Sequence, residues 1–132
     1  MKAFIIALAT TLLLDFLWLG FLMSGFYKNQ IGTLMRVKPN GESDLIFWAA
    51  GMVYLLLALG ITLFVLPKAA NANFVMVPVW GFIFGVIVYG VYDFTNLSIL
   101  QGWTLPMTFV DIFWGGVLCA TVSAVTFFFT RS

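Results

Sequence analysis

The chain contains no histidine and a single cysteine, Cys119. Those two shortages exclude haem ligation through histidine, zinc sites of the Cys/His type, a Ser-His or Cys-His nucleophile pair, and any disulfide within the chain. Charge is scarce as well. Six basic and five acidic residues leave a net charge of +1, with no basic stripe for nucleic acid and no acidic tail for a basic partner. A composition of 63% hydrophobic and 8% charged residues, with a mean hydropathy of +1.09, excludes a water-soluble core. The chain is therefore read as one integral membrane domain, residues 1–132.

The hydrophobic residues fall into four runs, at about 3–27, 45–66, 74–97 and 105–129, each able to supply the ~20 residues with which a helix crosses the hydrocarbon. The fold class predicted is all-α, an integral membrane four-helix bundle. The first run is too long for a signal peptide, lacks a small-x-small cleavage site and contains Asp15, so it is expected to be retained. Residues 28–44 hold five of the eleven formal charges and the turn signal Pro39-Asn40-Gly41, which makes them the longest loop. Ile31, Leu34, Met35 and Val37 fit either a short interfacial turn or a plain solvated loop. Ser43 or Asp44 suits the start of the second span, Pro67 its end, and 67–73 a short polar turn. Short connections make neighbouring helices antiparallel, and four spans put both termini on one side of the lipid bilayer. The positive-inside count ties, three cations against three, and the free amino terminus tips the orientation toward cytoplasmic termini.

Gly81-x-x-x-Gly85 in the third run, followed by Gly90, permits backbone-to-backbone helix contact. The partner is either another helix of this chain or a second copy, which would make a homodimer through Gly81 and Gly85. Cys119 beside Ala120 reads as a small packing residue.

Chemistry is concentrated in three acids. At ~1.5 Å rise per residue, Trp18 and Trp114 fall at one depth, Asp15 a turn deeper and Asp111 a turn shallower, with Asp93 on the same side as Asp111. Helical spacing groups Asp15 with Trp18, Asp93 with Tyr89 and Asn96, and Asp111 with Trp114. Asp15, Trp18, Tyr89, Asp93, Asn96, Asp111 and Trp114 are the ligand-binding candidates, facing a polar cavity reached from the side of loops 28–44 and 98–104. No Lys, Arg or His lies within the runs to pair with an acid, so each must be protonated, hydrogen-bonded, hydrated or bound to a cation from outside. Asp15, the deepest, is expected as a neutral acid donating one hydrogen bond. The indole faces offer cation–π attraction. No catalytic residue, metal site or cofactor is assigned. Trp48, Tyr54, Trp80 and Trp103 read as belt or lipid-facing aromatics. Asp-x-x-Trp-x-Gly occurs twice, at 15–20 and 111–116. With no matching symmetry between, it is read as a chance recurrence rather than a transporter-type inverted repeat.

Asp15-x-x-Trp18, Lys38-Pro39-Asn40, Tyr92-Asp93-Phe94-Thr95-Asn96 and Val110-Asp111-x-x-Trp114-Gly115, in this order, resemble small bacterial membrane proteins grouped as domain of unknown function 2177, over nearly the whole chain. The resemblance implies four helices and a bacterial inner-membrane location, and no activity. The acids and aromatics point to binding or transport of a small or lipid-like ligand. The alternatives are an enzyme acting on lipid, with Asp93 and Asp111 as acid and base or as holders of a divalent ion, and a structural accessory subunit.

Overall fold

Hydrocarbon offers no partner for a backbone N–H or C=O, so a chain this apolar satisfies its peptide groups within helices. The computed structural model, which describes residues 1–71 and 73–131, is 81% helical, without strands among the described residues. Four helices are long and apolar enough to cross a membrane: α1 (Lys2–Leu22), α3 (Phe47–Ala69), α4 (Met76–Ile99) and α5 (Leu105–Thr130). A short helix, α2 (Ser24–Ile31), follows α1. Ala72, within the expected turn 67–73, and Ser132 lie outside the described residues.

Two helix ends differ from the sequence pattern. The first run does not stay helical to residue 27. Trp18–Leu22 forms a π-helical turn in which Met23 N–H donates to the Trp18 carbonyl at 2.8 Å, and the chain breaks at Met23 before α2 starts. In α3, Pro67 does not stop the helix, which runs on to Ala69. A proline in a helix clashes with the carbonyl four residues back. Here the turn Ile61–Val65 is π-helical, with Leu66 N–H donating to the Ile61 carbonyl, and the wider turn accommodates the ring. Ser43 and Asp44 do not cap α3, which starts at Phe47 with no side-chain cap. Asp44 instead sits 3.8 Å from Arg36 in an exposed ion pair. The Pro39-Asn40-Gly41 signal is a true turn: Gly41 has φ +88°, and Val37 and Ser43 pair across it.

The loops on either side of the bundle meet at one end, where Thr104 hydrogen-bonds Gln30 and Gly102, with φ +90°, lies against Leu34. At the other end Lys68 sits over the Trp80 ring at 4.4 Å, and Arg131 over Phe128 at 5.0 Å. Trp48 is exposed, but Trp103 is no belt residue: it is buried against Tyr27 and Met107.

Helix α5 is the centre of the bundle, and α4 packs along it most extensively of all pairs. Gly81 faces the Cys119 carbonyl, Ser123 and Ala120, and Gly85 faces the backbone of Gly115 and Gly116. The close approach is therefore made within one chain. A homodimer through Gly81 and Gly85 has no free surface there, because α5 fills it. A Cβ on Gly85 would stand 2.1 Å from the Gly115 carbonyl oxygen, whereas one on Gly90 would meet nothing within 4 Å. Gly85→Ala should therefore lose about 1–3 kcal/mol by forcing two backbones apart, while Gly90→Ala should stay within about 1 kcal/mol of wild type. Thermal melts of the two variants in one detergent check the contrast.

Candidate functional site

The site forms where α1 and α5 cross. Ala7, Thr11 and Asp15 make the buried stripe of α1, one residue per turn, and the last of them reaches α5. Asp15 accepts two hydrogen bonds, one on each oxygen: from the Trp114 indole N–H at 3.0 Å and from the Tyr54 hydroxyl at 2.5 Å. An indole N–H can only donate, so Trp114 is a donor to Asp15. Asp111 accepts on Oδ1 from the Tyr27 hydroxyl at 2.9 Å, and Tyr27 in turn accepts from the Trp18 indole N–H at 2.7 Å. Burial, and after it the Asp111 charge, push the Tyr27 phenol above its ordinary pKa, which keeps its proton available to Asp111.

Trp18 and Trp114 do meet at one depth. Their rings stack with centroids 4.3 Å apart and planes 2° from parallel. The two Asp-x-x-Trp segments thus serve each other. Trp114, three residues after Asp111, donates to Asp15, and Trp18, three residues after Asp15, supports the donor of Asp111. The recurrence read as chance has a structural use. The π-helical turn at 18–22 and the break at Met23 carry α2, and with it Tyr27, back over the stack.

Beside this network lies a cavity of about 610 Å³. At its inner end the Phe84 ring of α4 lies directly over Gly60 of α3. Toward the loop end the two helices separate, leaving apolar walls from Ala50, Val53, Leu57 and Val88. Asp15, Asp111, Tyr54, Tyr89 and Tyr92 supply its polar groups. The cavity is thus mostly apolar rather than polar, and exposed members of its lining, Val53 and Leu56 on α3 and Val88 and Tyr92 on α4, face the outside of the bundle. Across Tyr54, a second hollow of about 590 Å³ between α1 and α3 also reaches Asp15.

Of the candidates named from sequence, Asp15, Tyr89 and Asp111 line the cavity. Trp18 and Trp114 stand behind it with their faces covering each other, so the indoles position the acids rather than face a ligand. Asp93 is fully buried beside Asp111, and neither of its oxygens has a hydrogen-bond donor among the described residues. Asn96 is half-buried and outside the cavity lining. Three tyrosines were missed. Tyr54 looked like a lipid-facing aromatic, and Tyr27 and Tyr92 carried no spacing signal that tied them to an acid on another helix. Among the described residues no three of His, Cys, Asp and Glu converge as metal ligands would.

Fold and site together define a four-span helical membrane protein with carboxyls buried among aromatic donors. The chain belongs to the family described as Predicted membrane protein (DUF2177), which it matches over residues 1–128. Comparison with curated proteins and with solved structures finds no match.

The Asp15 network separates charge from packing. Asp15→Asn keeps an acceptor for Trp114 and should fold close to wild type. Asp15→Leu strands both the Trp114 N–H and the Tyr54 hydroxyl and should cost about 1–3 kcal/mol for each. Near-ultraviolet circular dichroism, which reports the stacked indoles, followed through thermal melts of both variants, tests the difference.

Proposed function

We propose that this protein binds a small amphiphilic molecule taken from the bilayer, with its apolar part between α3 and α4 and its polar end at Asp15 and Asp111. One observation carries this: a cavity of about 610 Å³ with apolar walls, bounded on its inner side by two acids already fixed in place by Tyr27, Tyr54 and Trp114. That volume falls in the range of small-molecule pockets, and a few oriented polar groups in an apolar wall are their usual form. The opening lies between two spans, so the approach is lateral and an apolar ligand need not cross water.

Binding is favoured over transport because the half of the bundle nearer the termini is filled by Ala7, Ala58, Ile61, Leu118 and Val122, which closes the cavity at its far end. We take the membrane to be the bacterial inner membrane, since outer-membrane spans are β-barrels, and the termini to be cytoplasmic.

Ala50 is half-exposed at the cavity wall, so Ala50→Trp should fill the space without disturbing Asp15 or the indole stack. Protein purified in native-lipid discs should carry a small amphiphile detectable by mass spectrometry after extraction, and Ala50→Trp should carry at least about tenfold less. Equal amounts in the two preparations would refute the cavity as the binding place.

A further inference from the structure

We infer that the polar end of the ligand is a cation, an organic ammonium group held by Asp111 with Asp15 adding charge. The inference rests on the cavity being the amphiphile site. Asp111 is only 8% exposed, and what remains exposed faces the cavity. Its Oδ1 accepts from Tyr27, and Asp93 stands beside the same carboxyl. An acid that reaches an apolar-walled space with no cation beside it is matched by a ligand that brings one. Both oxygens of Asp15 are already occupied, so it contributes field rather than a new bond.

The surroundings discriminate by charge. Facing this end are Asp15 from α1, Tyr27 from α2, Tyr54 from α3, Tyr89, Tyr92 and Asp93 from α4, and Asp111 from α5. No cation is among them. The only basic residues on the four spans are Lys2, in the first turn of α1, and Lys68, in the last turn of α3, both at the opposite end of the bundle. A carboxylate or phosphate head would meet two acids and no cation, and an alcohol would give up the Coulomb attraction that a low-dielectric site magnifies. An ammonium supplies N–H donors to Asp111 and also gains from the ring faces of Tyr89 and Tyr92. The carboxylates are thus a selectivity device, and the aliphatic walls set affinity.

The test uses the full chain in phosphatidylcholine nanodiscs, titrated calorimetrically with dodecylamine, dodecanol and dodecanoate, for wild type, Asp111→Asn, Asp15→Asn and Ala50→Trp. The amine should bind wild type at least about tenfold more tightly than the alcohol, with the carboxylate weakest. Asp111→Asn should remove most of that preference and Asp15→Asn part of it. Equal binding of amine and alcohol to wild type, or an unchanged ratio in both Asn variants, would overturn the cation while leaving the cavity intact. No binding of any probe, or binding that Ala50→Trp does not weaken, would overturn the cavity itself. Should Asp111→Asn not fold, the ratio in Asp15→Asn decides alone.

Discussion

Three carboxyls lie in a low-dielectric bundle whose spans bring no cation near them, and most of the distinctive structure follows from how two of them, Asp15 and Asp111, are given donors. A buried acid without donors costs several kcal/mol. The donors available in hydrocarbon are the indole and phenol groups, which are apolar enough to be buried and carry one strong N–H or O–H each. Asp15 and Asp111 each draw on one tryptophan and one tyrosine, directly in three of the four cases and through Tyr27 for Trp18. Stacking the two indoles fixes both acids at once, so the position of α1 against α5 and the chemistry of the site are one constraint.

The remaining helices are arranged around that crossing. Glycines let α4 lie so close to α5 that Tyr89 rests on Gly115 and Phe82 on Gly116. Van der Waals contact at such short range is the main attraction between helices in lipid. On the other side of α4, Phe84 lies over Gly60 of α3, and Ala50, Val53, Leu57 and Val88 form apolar walls beside Asp15 and Asp111. Most threonine hydroxyls on the spans return to carbonyls one turn back, as Thr11 does to Ala7 at 2.7 Å, whereas Thr126 and Ser123 have no partner among the described residues.

The number of spans, the absence of a soluble core and the depth of each acid were legible in the sequence, because hydropathy and a fixed rise per residue are properties of one helix at a time. The equal depth of Trp18 and Trp114 followed from counting residues, and so did the burial of the Gly81 and Gly85 face. What counting could not supply was the partner across a contact. Whether that face met α5 or a second copy, and which aromatic would donate to which acid, depend on how helices are rotated about their axes. The π-helical turns at 18–22 and 61–65 add to this, since each shifts the facing of everything after it.

By itself, then, the sequence determined an all-α membrane protein of four spans, with acids held inside and no basic residue near them, since these are matters of composition and of length against bilayer thickness. Only the tertiary structure decided that Trp18 and Trp114 stack, that Tyr27 and Tyr54 complete the acids, that Asp93 lies unpartnered behind Asp111, and that α3 and α4 part to leave a cavity. Those outcomes turn on helix rotation, to which hydrophobic periodicity is blind when every face of a span is apolar.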